Sequence, residues 1–266
     1  MITSTGNQKV KRLVNLMKKR KARDEEGLFL TEGIRMFREI PAGRLKEVYV
    51  SESFYEKEKD VIGRVLEKSG AHLETVSDAV YGYVSDTKTP QGVLCVVGQM
   101  EYTLDQAAGG ECPLVLVLDN LQDPGNMGTV IRTAEAAGVT GIIMSSGCVD
   151  VYNPKTIRST MGSVCRMPFL KVDDLKEAIG WMKKRGVHTY AAHLEGSLSY
   201  DTVDYTKPCA FFIGNEGNGL RDEIAGLADT YIHIPMGGQV ESLNAAVASS
   251  VIMFEAARQR RRHRKG

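Results

Sequence analysis

Five short apolar runs recur along the second half of the chain, separated by segments with helical periodicity. The runs are LVLVLDN, GIIMSS, HTYAAH, CAFFIG and TYIHIP. A run that is apolar at every position, rather than at alternate ones, is typical of a strand buried on both faces of a parallel sheet. The sequence therefore predicts an α/β domain built on a parallel sheet over residues 114–266.

A smaller alternation of strands and helices precedes this domain. It predicts strands at Gly27–Gly33, Leu45–Ser51, His72–Ser77 and Gly92–Val97. A helix follows the first strand, another covers Glu52–Lys68, and a short one runs through Tyr83. This pattern indicates a small α/β domain over residues 27–100. Residues 101–113 contain Gly-Gly and Pro, and they are the predicted linker.

Composition narrows the class of protein. The 266 residues are 42% hydrophobic and 25% charged, as expected of a folded chain. No apolar stretch approaches the roughly 20 residues of a membrane-spanning helix, and the first residues lack the apolar core of a secretory signal. We therefore expect a cytoplasmic protein with no membrane partner. The five cysteines are never spaced as CxxC or interleaved with histidines, so we expect neither disulfides nor a metal site.

The net charge of +1 conceals basic ends on an acidic body. Residues 1–23 hold eight Lys and Arg and no acid, and residues 258–265 hold six and no acid. Such runs predict a polyanionic partner, because each cation that meets a phosphate releases counterions. Alternatively, the runs only solvate the chain ends. The favoured hypothesis is a basic N-terminal arm over residues 1–26 and a basic C-terminal tail, both contacting RNA.

Three loops that follow predicted strands carry the candidate chemistry, since ligands of open α/β sheets bind at the carboxyl ends of strands. The first is DNLQDPGNMGTVIRTAEAAG. Pro124 and Gly125 predict a turn, Asn126 a helix cap and Gly138 the end of that helix. Arg132 projects away from the apolar stripe. It is either an ordinary surface arginine or part of a polar site, and the residues leave both open.

The second loop is FFIGNEGNGL, Phe211–Leu220. Its glycines do not fit GxGxxG, and no acid ends the following strand, so a nicotinamide cofactor and an oxidoreductase function are disfavoured. The loop offers backbone groups that side chains leave uncovered, with Glu216 as the single charge.

The third loop is IPMGGQVESLNAAVA, Ile234–Ala248. Ser242 is suited to N-capping the last helix, with Asn244 in its first turn. Capping does not explain Asn244, which has weak helix propensity. Leu243, Val247, Val251 and Phe254 recur at helical spacing and predict the face that packs in the core.

Together the three stretches resemble the signature motifs of the SpoU/TrmH family of RNA ribose methyltransferases, members of the knotted SPOUT superfamily. The region that opens with FLTEG looks like the family's substrate-binding domain, whose fold certain ribosomal proteins share. The resemblance implies a trefoil-knotted C-terminal methyltransferase domain preceded by a small RNA-binding domain.

The resemblance also implies a reaction and its residues. A methyl group would pass from S-adenosylmethionine to a ribose 2′-hydroxyl, with ribosomal RNA as the expected substrate, a homodimer as the working form and no metal. The implied cofactor contacts are Leu194, Gly214, Ile234, Met236 and Leu243. The implied catalytic residues are Asn126, Arg132, Glu216, Ser242 and Asn244. The alternative is a catalytically silent ribosome-assembly factor that binds RNA with the same fold, against which the intact Arg132 and Asn244 count.

Overall fold

The computed structural model describes residues 1–194 and 196–263. Contacts divide the chain into two compact units: the first contains Met1–Met100 and Asp150–Cys165, the second Glu101–Val149 and the chain from Arg166 onward. The α-helices, in chain order, are α1 Gln8–Lys18, α2 Arg20–Glu26, α3 Ile34–Glu39, α4 Glu52–Lys57, α5 Lys59–Ser69, α6 Asp78–Val84, α7 Leu104–Ala108, α8 Pro124–Ala137, α9 Pro154–Thr160, α10 Leu175–Lys183, α11 Asp222–Ala225 and α12 Ala245–His263. The strands are β1 Leu28–Glu32, β2 Leu45–Ser51, β3 His72–Val76, β4 Val93–Gly98, β5 Leu114–Leu118, β6 Gly141–Ser145, β7 Phe169–Val172, β8 His188–Ala192, β9 Leu198–Ser199, β10 Cys209–Ile213 and β11 Thr230–His233. Within the described ranges, no helix has the length and apolar character needed to cross a bilayer.

The second unit is built on a parallel sheet of seven strands in the order β7-β6-β5-β10-β8-β11-β9. Every residue of β5, β6 and β10 is buried. This confirms the α/β class and the parallel sheet predicted from the apolar runs, because only a sheet covered on both faces hides every side chain of its strands. The knot that the resemblance implies stays a prediction.

The first unit contains a four-stranded sheet in the order β1-β4-β2-β3. Strand β4 runs antiparallel to both β1 and β2, and β3 runs parallel to β2. The α/β pattern predicted for this part of the chain is confirmed. The helix predicted over Glu52–Lys68 is instead two helices, α4 and α5, because Glu58 leaves the helical conformation with φ −121° and ψ 27°.

Residues 1–26, predicted as a basic arm, fold as α1 and α2 within the first unit. Val10, Leu13 and Leu16 lie on one face of α1 and are at most 2% exposed. They belong to the apolar core under the sheet, together with Tyr49 and Val96. The segment folds because its apolar residues recur at helical spacing, which outweighs the solvation of its charges.

Most of the cations in this segment are already paired. Arg23 is 3% exposed, lies 2.6 Å from Asp150 and donates to the carbonyls of Leu16 and Met17. Further ion pairs join Lys9 to Glu74, Arg12 to Glu26 and Glu47, Arg20 to Asp24, and Lys21 to Glu25. A buried arginine that pairs within its own unit stabilises that unit and is not free for a phosphate.

The segment between β5 and β7 contributes to both units. Residues Asp150–Cys165 belong to the first unit, where the Asp150 carboxylate meets Arg23 and the Tyr152 hydroxyl accepts a hydrogen bond from Met100 N at 2.6 Å. The predicted linker, residues 101–113, also holds structure. It contains α7, which begins at a capping box formed by Thr103 and Gln106 and packs on β5 and β6.

The last helix, α12, packs on α8 through a different face from the one predicted. Its buried residues include Ala245, Ser249 and Ala256. Val247 is 48% exposed and Phe254 is 44% exposed, so their predicted role in the core is wrong. The small side chains let α12 approach α8 closely, together with the buried Ile252 and Met253, whereas Val247 and Phe254 are left on the outside.

Candidate functional site

Three loops meet at the carboxyl edge of the parallel sheet. They are residues 119–123 after β5, residues 214–221 after β10 and residues 234–244 after β11. Strands β5 and β10 are neighbours in register, with Leu118 opposite Ile213, and β8 separates β10 from β11. The carboxyl ends of parallel strands share one edge of a sheet, which brings residues remote in sequence together.

Glu216 joins the loop after β10 to the loop after β5. Its carboxylate oxygens accept hydrogen bonds from Asp123 N at 2.9 Å, Gln122 N at 3.1 Å and Asn126 Nδ2 at 3.0 Å. Partial desolvation alone would raise the pKa of the Glu216 carboxyl, but these hydrogen bonds lower it below its ordinary value. The group is therefore a carboxylate at neutral pH, held by donors on the neighbouring loop.

Asn126 and Asn244 extend this arrangement to the third loop. Asn126 donates to Glu216 through Nδ2 and accepts through Oδ1 from Asn244 Nδ2 at 3.1 Å. Asn244 Oδ1 in turn accepts from the backbone N–H groups of Ala246 and Val247 at the start of α12. We call Gln122, Asp123, Asn126, Glu216 and Asn244 the Glu216 cluster.

The helix caps differ from those predicted. Asn244, and not Ser242, caps α12, which begins at Ala245. Asp123, and not Asn126, caps α8, and Pro124 and Gly125 lie in the first turn of that helix and not in a turn before it. Asp123 Oδ1 accepts from Asn126 N at 2.8 Å. Gly138 ends α8 in the left-handed conformation, as predicted.

Asn244 therefore has two separable roles, and two variants distinguish them. Asn244→Asp keeps an oxygen that caps α12 but cannot donate to Asn126, whereas Asn244→Ala loses both. We expect Asn244→Ala to lower the free energy of unfolding by about 1 kcal/mol and Asn244→Asp to leave it nearly unchanged. Both should impair catalysis. Chemical denaturation measures the first effect, and equal stability of the two variants would show that the cap contributes nothing.

Arg132 and Ser242 are not part of the cluster. Arg132 is exposed on α8, and no hydrogen bond or ion pair joins it to any other described residue. Ser242 is exposed in the loop before α12, likewise with no hydrogen bond among the described residues. The guanidinium of Arg132 is therefore free to meet a bound anion.

A second set of contacts, not predicted from the sequence, holds the same loops. The Asp119 carboxylate is fully buried at the end of β5 and is bound by Arg221 through Nε and Nη2, at 2.8 Å for the shortest contact. Asn120 adopts φ +56°, and its carbonyl accepts from Asn215 Nδ2 at 2.8 Å. The sequence does contain a sign of this ion pair: Asp119 directly follows a wholly apolar strand, and a buried carboxylate requires a partner.

The loop after β10 turns back on itself at Gly214. Asn215 and Gly219 exchange two backbone hydrogen bonds of 2.9 and 3.0 Å. A Cβ at Gly214 would lie 2.1 Å from the carbonyl carbon of Gly219 and from Leu220 N. Only glycine fits at this position. Because glycine has no side chain, none covers the backbone atoms of residue 214.

The residues matched to the cofactor share a property that a packed core does not explain. Leu194 is 67% exposed at the end of β8, and Ile234, Met236 and Leu243 are half-buried after β11. Accessible apolar side chains and the uncovered backbone at Gly214 are the types of group that suit a ligand with an aromatic base and a polar chain. This set of groups fits S-adenosylmethionine. No group of three or more His, Cys, Asp or Glu that could hold a metal ion occurs among the described residues.

Comparison with known protein families gives two matches. Residues 113–254 match the model of the SpoU rRNA Methylase family, and residues 7–95 match the MRM3-like substrate binding domain.

Individual proteins are similar over nearly the whole chain. The 23S rRNA (guanosine(2553)-2′-O)-methyltransferase RlmP of Bacillus subtilis is 34% identical over 255 residues, which cover 95% of this chain and 97% of that protein. An AdoMet-bound rRNA methyltransferase from Sinorhizobium meliloti superposes with a TM-score of 0.87 at 33% identity, over 97% of both chains. The SpoU methyltransferase AviRb from Streptomyces viridochromogenes gives a TM-score of 0.86 at 28% identity, over 98% of this chain and all of that one.

Proposed function

This chain belongs to the SpoU rRNA Methylase family, and on that premise we propose that it transfers a methyl group from S-adenosylmethionine to a ribose 2′-hydroxyl of ribosomal RNA. The observation that carries the proposal is the Glu216 cluster, in which hydrogen bonds join two signature loops and the residue that caps α12. A protein that only bound RNA would have no need of this hydrogen-bonded cluster of polar residues.

The cofactor-binding residues would be Leu194, Gly214, Ile234, Met236 and Leu243. The apolar side chains among them would pack on the adenosine, and backbone groups at Gly214 would hold its polar atoms. When bound, the cofactor would supply an electrophilic methyl group on a sulfonium sulfur. The sulfur–carbon bond would break as the ribose oxygen–carbon bond forms, and its electron pair would stay on sulfur as a neutral thioether.

Arg132 is the residue that we assign to the hydroxyl and its neighbouring phosphate. Its guanidinium stays protonated in proteins, so it orients the nucleophile and does not remove the proton. The hydroxyl proton would leave as the oxygen–carbon bond forms, and it would pass to solvent water or to the RNA phosphate that Arg132 also contacts. Ser242, exposed beside α12, would add a further hydrogen bond to the same nucleotide.

Glu216 acts as an anchor and not as a base. Its carboxylate already accepts four hydrogen bonds, the longest from Asn215 Nδ2 at 3.5 Å, and its lowered pKa makes it a weak proton acceptor. With Asn126 and Asn244 it fixes the relative positions of the loops that carry the cofactor and the nucleophile. Positioning of this kind contributes several kcal/mol to catalysis.

Ribosomal RNA is the proposed substrate for two reasons. The relatives RlmP and AviRb carry rRNA or SpoU methyltransferase names, and the first unit matches a substrate-binding domain. Modification of ribosomal RNA would take place in the cytoplasm, where ribosomes are assembled.

The proposal is tested by incubating the full chain with methyl-labelled S-adenosylmethionine, EDTA and either a ribosomal or a transfer RNA transcript. We expect label in ribosomal RNA. Cofactor binding without transfer to any RNA would favour the silent assembly factor. A requirement for a divalent metal in cofactor binding would contradict the proposed site.

Not all terminal cations are available to RNA. Arg260 donates to the carbonyls of Cys112, Pro113, Tyr205 and Lys207 at 2.7 to 3.0 Å, and Arg258 pairs with Glu255. Lys18, Lys19, Arg261 and Arg262 are exposed, with no ion pair to any other residue in the described ranges. Arg264 and Lys265, also part of the predicted basic tail, lie outside the described residues.

Point substitutions therefore test the basic ends better than truncations do. Lys18→Ala with Lys19→Ala, and Arg261→Ala with Arg262→Ala, should each weaken RNA binding and lower the salt slope by about 1 to 2. Arg260→Ala should instead lower the free energy of unfolding by about 1 to 3 kcal/mol, because the part-buried carbonyls of Pro113 and Tyr205 lose their donor. Binding titrations at several salt concentrations and thermal unfolding measure the two effects. An unchanged salt slope in both double variants would assign these charges to solvation alone.

We also propose a homodimer that forms through α12. Val247 and Phe254 are seven residues apart, so they share one face of the helix, and both are about half exposed. Phe254→Glu is expected to shift the chain from dimer to monomer in sedimentation equilibrium. A wild-type chain that sediments as a monomer at micromolar concentration would contradict this assignment.

A further inference from the structure

A groove of about 590 Å³ lies in the first unit, among α3, the turn that follows it, the start of β2 and α5. Its floor is apolar: Phe37 and Leu45 are buried, and Val61 and Val65 are half-buried on α5. A volume of this size is typical of sites that take a small organic ring system with its substituents. The Glu216 cluster belongs to the second unit, so this groove is not part of the catalytic site.

The charged residues that line the groove are all cations. They are Arg38 on α3 and Arg64 and Lys68 on α5, and all three are exposed. Arg64 Nε donates to the carbonyl of Asp60 at 3.1 Å, and no carboxylate pairs with any of the three among the described residues. The apolar floor suits an apolar group, and the unpaired cations at the rim suit an anion. Together they suit an anionic ligand that carries an apolar group.

The arrangement follows from the helical spacing of α5. Residues 61, 64, 65 and 68 fall on one face at about 100° per residue, and that face lines the groove. Asp60 and Glu67 lie near Arg64 on the helix surface, four residues before it and three residues after it. Neither carboxylate forms an ion pair with Arg64 or Lys68 among the described residues, and Arg64 bonds only the backbone carbonyl of Asp60.

We propose that this groove binds an unpaired nucleotide of the RNA substrate, with the base on the apolar floor and the flanking phosphates on Arg38, Arg64 and Lys68. The inference rests on the proposed function and adds to it an RNA contact in the first unit. Single-stranded RNA is commonly held by stacking of splayed bases on side chains combined with cationic contacts to the backbone. The groove offers the half-buried side chains of Val61 and Val65 and the guanidinium planes of Arg38 and Arg64 for a base, and three cations for the phosphates. It lies within a region that matches a substrate-binding domain.

The test compares two triple variants of the full chain on a 23S rRNA transcript. Arg38→Ala with Arg64→Ala and Lys68→Ala removes the rim. The matched control, Arg35→Ala with Lys57→Ala and Lys59→Ala, removes three exposed cations from the same unit outside the groove. We expect the rim variant to raise the dissociation constant at least tenfold and to lower the salt slope by about 2, well beyond the control.

A third variant tests the floor without changing charge. Val65→Trp fills the groove, and it should reduce ultraviolet cross-linking of a 4-thiouridine-substituted transcript to peptides from Val61–Ser69. Thermal unfolding and cofactor binding should match the wild type in all variants that fold.

The outcomes separate this inference from the proposed function. Wild-type methyl transfer together with equal RNA affinity and salt slope in the rim and control variants would overturn the groove assignment alone. Cross-links confined to other peptides would do the same. No transfer to any RNA by the wild type would instead refute the proposed function.

Discussion

Replacing Arg132 with alanine is expected to reduce methyl transfer at least a hundredfold while changing cofactor affinity by no more than a few-fold. A preorganised donor aimed at developing charge typically contributes this much to a rate. Arg132 is exposed and meets no other described residue, so its loss should leave stability unchanged. Single-turnover transfer and calorimetric titration of the cofactor measure the two quantities.

Two further variants define what Arg132 does. Arg132→Lys should not restore activity, because a single ammonium lacks the planar fork that binds hydroxyl and phosphate together. Arg185→Ala is the matched control: Arg185 is also an exposed arginine of the second unit, and it stacks 3.6 Å from the centre of the Trp181 ring. Full activity of Arg132→Ala would reduce Arg132 to an ordinary surface residue.

Replacing Glu216 with glutamine is expected to lower the rate about a hundredfold. The amide nitrogen of glutamine would face the donors that now meet a carboxylate, at Asp123 N, Gln122 N and Asn126 Nδ2. One donor must turn away, and the loop after β10 then moves relative to the loop after β5. A small displacement of reacting groups is enough for a loss of this size.

The pH dependence of the same variant tests whether the Glu216 carboxyl is ionised throughout the pH range of the assay. The folded-state pKa of Glu216 lies below its ordinary value of 4.5, so its contribution is complete above that value and is lost as pH falls through the lowered pKa. The ratio of wild-type to Glu216→Gln rates should therefore be the same at about pH 6 and about pH 8.5. A ratio that rises with pH over this interval would show that Glu216 titrates there, and it would contradict the lowered pKa on which its role as an anchor depends.

The strands of the second unit were predictable because their signal is local. Strands β5, β6, β8, β10 and β11 correspond to apolar runs. Of these, β5, β6 and β10 are buried throughout, whereas β8 and β11 are partly exposed. The edge strands β7 and β9 were missed, since β7 mixes buried and exposed residues and β9 has two residues. An edge strand is covered on fewer sides and needs no continuous apolar run.

Features that depend on a distant partner were not predictable in the same way. The exposed face of α12 follows from the small residues that meet α8, so Val247 and Phe254 could not be placed from spacing alone. The ion pair of Asp119 with Arg221 joins two loops far apart in sequence. In α1 the apolar spacing of Val10, Leu13 and Leu16 indicates a helix that packs in the core, although basic residues surround these three positions in the sequence.

The site residues fall into two groups: those joined by hydrogen bonds within the protein and those whose roles depend on bound RNA. The motif resemblance selected Asn126, Glu216 and Asn244, and these three are joined by hydrogen bonds. It also selected Arg132 and Ser242, whose roles require a bound RNA and remain predictions. Asparagine is disfavoured inside helices and favoured at caps. Asn244 lies at the cap of α12, so its low helix propensity agrees with its position.

The most direct test of ribose methylation is alkaline hydrolysis of ribosomal RNA labelled by the full chain. Alkali cleaves RNA through the free 2′-hydroxyl, so a 2′-O-methyl group protects the adjacent linkage. Transfer to the ribose predicts that the label is recovered in alkali-stable dinucleotides. Recovery of the label in mononucleotides would place the methyl group on a base and contradict the account.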